Sequence, residues 1–182
     1  EALRVGYRHI SPYIYMLVRQ PNEGARWLEK QSVFMQISDY SPHQSWAVVR
    51  LCRASFEHGV GIKDHHPIED QHAHFVEQIV PNTRVRVVLS GNDVVAFMAS
   101  TPESISQLYV DVNHIRQGIG SELMSMAKAE SSGSLWLYTF AQNTNARRFY
   151  EHHGFVETER ESENMWKLEA IRYCWQQAES VA

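Results

Sequence analysis

The spacing of apolar residues from residue 33 onward predicts a regular succession of strands and helices. Short runs of β-branched and aromatic residues are typical of strands, whereas apolar residues that recur at intervals of three and four are typical of helices. The strands predicted in this way cover 33–37, 83–89, 94–100, 105–112, 135–140, 155–160 and 166–174. The predicted helices begin at 41–42, at Pro67 and just after Gly118, and the last one covers 145–153.

Turn and stop residues set the ends of several of these elements. The run Ser90-Gly91-Asn92-Asp93 predicts a tight hairpin between two strands. Pro67 opens a helix that we expect to run to about Val80 and to end at Pro81. Gly154 is expected to end the last helix. The predicted order is therefore β-α-α-β-β-β-α-β-α-β-β, a single α/β domain built on a mixed sheet.

The first 32 residues differ in charge from the rest of the chain. They carry a formal net charge of +2, so the remainder carries −6. We expect a short helix over 23–31 that packs on the domain or on the second subunit of a homodimer. Because the chain begins at Glu1 rather than Met, a leader added for expression is an equally good interpretation. The sequence thus divides into an N-terminal extension over 1–32 and one domain over 33–182.

Composition excludes several classes of protein. Of 182 residues, 43% are hydrophobic and 21% charged, as in a typical soluble globular domain. The longest apolar runs, 13–18 and 94–99, are far shorter than the roughly 20 residues that a membrane-spanning helix needs. A net charge of −4 disfavours a general role in binding nucleic acid. Two distant cysteines, Cys52 and Cys174, give no disulfide framework, which indicates a cytoplasmic protein.

The strongest local feature is a strand that leads through a glycine-containing turn into a helix. Leu108-Tyr109-Val110 is followed by Arg116-Gln117-Gly118-Ile119-Gly120-Ser121. The first N–H groups of a helix lack partners within the helix and carry partial positive charge, so such a turn favours a phosphate or pyrophosphate. A side chain at Gly118 or Gly120 would block the close approach of that group. A tight turn without a ligand explains two glycines equally well, and the spacing is not a dinucleotide-binding fingerprint.

A second motif follows the next predicted strand. It reads Asn143-Thr144-Asn145-Ala146-Arg147-Arg148-Phe149-Tyr150, with Gly154-Phe155 behind it. In this order and spacing, the two motifs together resemble the GNAT superfamily of acetyl-CoA-dependent N-acetyltransferases. The resemblance extends from residue 33 to about residue 175 in element order. It implies a GNAT-like fold and acetyl-CoA as the co-substrate.

The resemblance also implies which residues bind the co-substrate. The turn from Ile115 to Ser121 would wrap the pyrophosphate of coenzyme A through backbone amides. Leu108 and Val110 would pair with the pantetheine arm as a strand edge does, and Asn143 would hydrogen-bond the pantetheine or phosphate side. The implied cofactor-binding residues are Leu108, Val110, Arg116, Gln117, Gly118, Ile119, Gly120, Ser121 and Asn143. The sequence departs from the family pattern at Ile115, where Gln or Arg is usual, and we expect coenzyme A binding to survive.

Tyr150 is the acid that the resemblance implies. It would lie near the thioester sulfur and donate a proton to the leaving thiolate. A phenol, whose pKa is ordinarily about 10, protonates a thiolate only where that thiolate is poorly stabilised. Its neighbour Phe149 is interpreted as a packing residue of the same helix.

Acidic residues and histidines cluster over 54–80, where five acids face only one lysine and give a net charge of −4. In the resembling fold this segment lines the acceptor pocket, and its charge would attract a cationic amine. The candidates for the base that deprotonates the ammonium are Glu57, Asp64, His65 and His66, of which we assign Glu57. A solvated face explains the same cluster equally well. The spacing of the histidines disfavours a metal site.

These observations predict an N-acetyltransferase. A primary amine, small-molecule or peptide and cationic, would attack acetyl-CoA directly in a ternary complex, with Tyr150 and Glu57 as catalytic residues. We expect no metal, nucleic acid or membrane among its partners. The alternative is a non-catalytic acyl-CoA-binding or interaction module with the same fold.

Overall fold

The structure is a computed structural model that describes residues 35–162 and 166–178. The predicted arm over 1–32, and with it the predicted contact with a second subunit, lies outside the described residues. The predicted fold class and order of elements are confirmed. The strands are β1 (Met35–Asp39), β2 (Arg84–Ser90), β3 (Asp93–Ser100), β4 (Ile105–Val110), β5 (Ser134–Phe140), β6 (Val156–Glu161) and β7 (Ala170–Gln176). The helices are α1 (Ser45–Val60), α2 (Ile68–His74), α3 (Val80–Asn82), α4 (Ile119–Glu130) and α5 (Thr144–His152).

The expected mixed sheet is divided into two antiparallel sheets. The first has the strand order β1-β2-β3-β4, and the second has the order β5-β7-β6. β4 and β5 run parallel where the sheets meet, and they are joined by an isolated bridge between Ser104 and Trp136. The backbone N–H of Trp136 donates to the carbonyl of Glu103 at 3.0 Å. Beyond this bridge the described residues of the two strands are not paired, and a cavity lined by both strands lies between them.

Hydrophobic cores lie on both faces of the first sheet, as expected for a strand whose successive side chains point to opposite faces. One core packs Val88 and Met98 against α4, through Leu123 and Met124. The other packs the alternate residues of the same strands against α1 and the segment after α2; its buried members are Val48, Val49, Leu51, Phe75, Val85, Val87, Phe97 and Ala99. The first sheet is thus covered by helices on both sides, which fixes the positions of α1 and α4 relative to β4.

Some predicted ends of elements are wrong. Pro81 does not stop the second helix, because the chain passes through a π-helical segment, Phe75–Ile79, into α3 and ends at Asn82. Pro81 lies in the last turn of this continuous helical run, at one of the first positions of α3. The strand predicted over 105–112 ends at Val110, and the last strand begins at Ala170. In the part of the chain that the structure describes, no helix is long and apolar enough to cross a membrane.

The packing of the core between α4 and the sheets predicts how much stability is lost when a buried side chain is shortened. Leu123 is fully buried, so Leu123→Ala should lower the free energy of unfolding by about 2–5 kcal/mol. Urea denaturation followed by circular dichroism measures this change. Ser125→Ala, an exposed position on the same helix, should alter it by less than about 0.5 kcal/mol. A Leu123→Ala loss as small as that of the control would contradict the packing described here.

Candidate functional site

One edge of β4 is directed toward the gap between the two sheets. The N–H of Asp111 donates to the carbonyl of Val95 at 2.8 Å, on the side of β3. Because backbone groups alternate in an antiparallel pair, Leu108 and Val110 direct their N–H and carbonyl groups to the opposite side. The carbonyl of Val110 accepts a hydrogen bond there from the Ser55 hydroxyl at 2.9 Å. The two residues predicted to pair with pantetheine therefore share the edge that faces β5.

A cavity of about 150 Å³ occupies this gap, and we call it the interstrand cavity. Leu108 of β4 and Phe140 of β5 form two of its walls. Asn143 and Tyr150 of α5 line it as well, so the structure brings these two predicted site residues together with the β4 edge. The first turn of α5 and the end of α1 complete the enclosure.

The turn before α4 adopts the left-handed conformation twice. Gly118 is the N-cap of α4 and has φ of +84°, and Arg116 has φ of +60°. Positive φ is uncommon in a residue other than glycine and is strained. A Cβ on Gly118 would meet no protein atom within 4 Å. Gly118 is therefore required by its backbone conformation, and the space beside it is open to a ligand.

Gly120 has a packing role in addition to the ligand approach that its spacing predicts. A Cβ on Gly120 would lie 3.3 Å from two ring atoms of Phe149 and 3.8 Å from Val110. The absence of a side chain thus allows α4 to approach α5 and β4 closely. Phe149 packs partly buried against the core, as predicted. A bulky substitution at Gly120 would disturb the protein itself as well as any ligand.

Asn143 ties α5 to its neighbours. It is the N-cap of the helix, and its Oδ1 accepts the N–H of Ala146 at 3.1 Å. A Cβ added to Gly59 of α1 would lie only 2.7 Å from its Nδ2, so the side chain packs closely against α1. The side chain therefore has a capping role in addition to the cofactor contact that the sequence predicts.

Tyr150 is held in the core at the edge of the interstrand cavity. Its ring packs against Phe149, Phe155 and Tyr173, with centroid distances of 5.5, 6.1 and 6.1 Å. Burial raises the pKa of its hydroxyl to about 12. The phenol therefore keeps its proton at neutral pH, as a proton donor must.

A second, larger cavity of about 370 Å³ lies next to the interstrand cavity, and we call it the aromatic cavity. It is lined by Val49, Cys52, Phe56, Asp64, His66, Asp70, Gln71, His74, Phe75, Gln107, Tyr109, Phe140 and Trp166. Phe56, Gln107, Tyr109 and Phe140 line the interstrand cavity as well. The two cavities therefore adjoin, and a ligand in one can reach a ligand in the other across these four residues.

Asp64 and His66 form a hydrogen-bonded pair at the aromatic cavity. The Asp64 side chain is 1% exposed, and its Oδ1 lies 2.8 Å from His66 Nδ1. The backbone N–H of His66 donates to the same oxygen at 2.9 Å, and the Gln71 amide donates to Oδ2. A carboxylate only accepts, so His66 Nδ1 carries the hydrogen, and the second ring nitrogen, Nε2, is not used in this contact.

The other predicted bases have different surroundings. Glu57 accepts hydrogen bonds from Lys63 at 2.8 Å and from the backbone N–H of Asp64 at 3.1 Å. The bond from Lys63 is the main reason that the pKa of Glu57 is lowered. Glu57 is not among the residues that line either cavity. His65 is exposed.

Several wall residues of the aromatic cavity were missed by sequence reasoning. Trp166 reads as a packing residue in the sequence, yet its ring contacts Phe56 and His66, both at 4.7 Å. Gln107 was not singled out, although a glutamine between apolar strand residues is a signal that could have marked it. Cys52 is a wall residue whose pKa burial raises to about 12, so the thiol is a poor nucleophile. The described residues contain no group of three side chains suited to hold a metal ion.

Comparisons with known proteins identify the fold. Residues 81–157 match the family model described as the acetyltransferase (GNAT) domain. The solved structure of apo YjaB from Escherichia coli is similar, with 18% identity, a TM-score of 0.65 and coverage of 79% of this chain and 99% of that one. Ard1 from Thermoplasma volcanium has 22% identity, a TM-score of 0.61 and coverage of 80% and 99%. The structure of yncA from Salmonella typhimurium, which holds its cofactor acetyl-CoA, has 16% identity, a TM-score of 0.59 and coverage of 81% and 96%. No curated protein matches the sequence.

The capping hydrogen bond of Asn143 predicts an effect on stability that can be measured without a ligand. Asn143→Ala should lower the free energy of unfolding by about 1 kcal/mol, because it removes the acceptor for Ala146 N–H. Asn143→Asp keeps that acceptor beside the positive end of the helix dipole and should retain the stability. Chemical denaturation of the three proteins measures both effects. Equal losses in the two variants would contradict the capping role.

Proposed function

We propose that this chain, whose residues 81–157 match the acetyltransferase (GNAT) domain model, transfers the acetyl group of acetyl-CoA to the nitrogen of a primary amine. The coenzyme A part would occupy the interstrand cavity and the turn before α4. The amine would enter the adjoining aromatic cavity. The reaction would take place where the two cavities share Phe56, Gln107, Tyr109 and Phe140.

The observation that carries this proposal is the convergence of three features on one gap. The edge of β4 directs the N–H and carbonyl groups of Leu108 and Val110 into it. The N-terminus of α4, with Gly118 in the left-handed conformation, follows the same strand. Tyr150 lines the cavity between them. Acetyl-CoA matches this series of groups, because it has an extended arm that contains amides, with a diphosphate at one end and a thioester at the other. The fold-level likeness to yncA, which is solved with acetyl-CoA, supports the same co-substrate.

The residues of this chain would act on the reaction in sequence. A base in the aromatic cavity takes one proton from the ammonium, and the freed nitrogen lone pair attacks the thioester carbonyl carbon. Backbone N–H groups of β4 stabilise the negative charge that develops on the carbonyl oxygen. The carbon–sulfur bond then breaks, Tyr150 donates its proton to the departing sulfur, and the nitrogen loses its second proton. That second proton restores Tyr150, so the net products are an amide, a thiol and one released proton.

His66 is better suited than Glu57 to take the first proton. Its Nδ1 is committed to Asp64 at 2.8 Å, which leaves Nε2 as the basic atom. His66 lines the cavity proposed for the amine, whereas Glu57 is bound to Lys63, and its lowered pKa makes it a weaker base. Glu57 is the base that the sequence predicts, and the Glu57→Gln variant tests it as the alternative to His66.

The proposal is tested by thiol release from acetyl-CoA in the presence of a panel of primary amines, with coenzyme A binding measured by calorimetry. Turnover with at least one amine is the expected result. Tight coenzyme A binding without turnover on any amine would instead favour the alternative, a non-catalytic acyl-CoA-binding module.

Removal of the Tyr150 hydroxyl should affect turnover rather than binding. Tyr150→Phe keeps the ring contacts with Phe155 and Tyr173, so its stability and coenzyme A affinity should change little. Its kcat should fall by about 100-fold or more, because the thiolate leaves without a proton donor. Tyr40→Phe, which removes a hydroxyl outside both cavities, serves as the matched control. An unchanged kcat in Tyr150→Phe would exclude the phenol as the acid.

Replacement of the His66 imidazole should lower activity to an extent that depends on the pKa of the amine. His66→Gln should lower kcat/KM by about 100-fold or more for a strongly basic amine, which arrives as the ammonium. The loss should shrink for an amine of low pKa that is already neutral, and for the basic amine as the pH is raised. Steady-state assays with one amine of each kind measure this difference, with exposed His58→Gln as the control. The same pattern in Glu57→Gln, with His66→Gln unaffected, would assign the base to Glu57.

A further inference from the structure

The aromatic cavity has two walls made of packed rings. In the first wall, Phe75 and Tyr109 both pack against Phe97, with centroid distances of 6.0 and 5.7 Å. In the second wall, Phe56 packs between Phe140 and Trp166, at 5.9 and 4.7 Å. Because each ring is supported by another, the cavity is preformed and presents flat apolar surfaces. Its volume of about 370 Å³ is that of a site for a small molecule.

These walls stay uncharged at neutral pH. Cys52 and Tyr109 both line this cavity and interact with each other. Burial raises the pKa of the Cys52 thiol to about 12, and the pKa of Tyr109 is also well above its ordinary value, chiefly because of the neighbouring Cys52. A ligand body that fits between the walls must therefore be apolar, since hydroxyl or charged groups would lose their hydration there without a partner.

The charged groups of this cavity are already compensated or exposed. Asp64 accepts hydrogen bonds from His66 and Gln71, and Arg53 lies 3.9 Å from its Oδ2. The remaining charged lining residues, Asp70 and His74 of α2, are exposed. A ligand with several ammonium groups would find no row of free carboxylates between the aromatic walls.

One polar atom of the cavity lacks a partner. Gln107 Oε1 is buried and has no hydrogen-bond partner among the described residues. Gln107 lines both cavities, so this acceptor lies at the boundary where the amine and the thioester would meet. A buried acceptor without a donor is unfavourable, and an N–H of a ligand nitrogen supplies that donor.

We propose that the acceptor is a primary amine carried on one compact aromatic body. The ring occupies the space between the two aromatic walls, and the amine nitrogen donates an N–H to Gln107 Oε1. This proposal rests on the proposed acetyl transfer and names the class of its acceptor. It excludes polyhydroxylated amines and polyamines as preferred acceptors, because both would place polar groups against Phe75 and Phe56.

The first experiment compares acceptors at saturating acetyl-CoA. 2-Phenylethylamine is the probe, 1,4-diaminobutane is the polyamine, and kanamycin is the polyhydroxylated amine. The expected kcat/KM for 2-phenylethylamine exceeds that of either competitor by at least about tenfold, since apolar contacts in a pocket discriminate by that order. A tenfold preference for 1,4-diaminobutane or kanamycin would overturn the aromatic acceptor while leaving the acetyl transfer intact.

The second experiment tests the contact at Gln107. Gln107→Leu should raise the KM for 2-phenylethylamine by at least about tenfold and leave the Kd of coenzyme A unchanged. Gln78→Leu, at an exposed position, is the matched control for the change of side chain. A Gln107→Leu variant with an unchanged KM, or with a weakened coenzyme A Kd instead, would contradict the contact with the amine.

Binding without catalysis keeps the two proposals apart. Thermal shift of the wild-type protein with coenzyme A, with and without 2-phenylethylamine, reports occupation of the cavity whether or not turnover occurs. Stabilisation by 2-phenylethylamine that Gln107→Leu abolishes supports the aromatic acceptor site, even if a failed turnover assay removes the proposed reaction. No stabilisation at millimolar amine overturns it.

Discussion

The divergence of β4 from β5 is the constraint on which the site depends. The two strands are parallel and adjacent, but the bridge between Ser104 and Trp136 lies near their beginnings, and the sheets then separate. Buried backbone N–H and carbonyl groups need partners. The outward groups of Leu108 and Val110 therefore lie beside a gap in which Ser55 satisfies one carbonyl. A continuous sheet at this place would leave no room for a ligand.

The helices around this gap follow from the same arrangement. α4 is the next element after β4, and the turn over 111–118 joins its N-terminus to the end of the open edge. α5 follows β5 and places Tyr150 on the opposite side of the gap. The missing side chain at Gly120 lets the two helices approach, with Phe149 filling the contact. The two cavities adjoin at the residues that line both of them, Phe56, Gln107, Tyr109 and Phe140.

Much of the fold was predictable because it depends on local patterns. The hairpin at Ser90–Asp93, the glycine stop at Gly154 and the apolar periodicity of α1 each act over a few residues, and the order of elements follows from them. The division into two sheets depends on pairing between strands distant in sequence, such as β5 with β7, and no local pattern records that pairing.

The candidate site shows the same limit. Tyr150 and the turn at Gly118 were predicted as candidates because their motifs have fixed spacing. The contacts within the acidic and histidine-rich segment were not predicted. Glu57 contacts Lys63, and Asp64 contacts His66 and Gln71, and the conformation of the loop between α1 and α2 sets these contacts. Trp166 reaches Phe56 from far along the chain. The pairing of His66 with Asp64 and the aromatic walls therefore became visible only in three dimensions.

Hydrogen exchange of individual backbone amides, measured by NMR with and without coenzyme A, tests the central claim most directly. If coenzyme A binds along the open edge of β4 and at the start of α4, the amides of Leu108, Val110 and Ile119–Ser121 should exchange more slowly when it is present. Slower exchange confined to other parts of the chain, with these amides unchanged at saturating coenzyme A, would contradict the account.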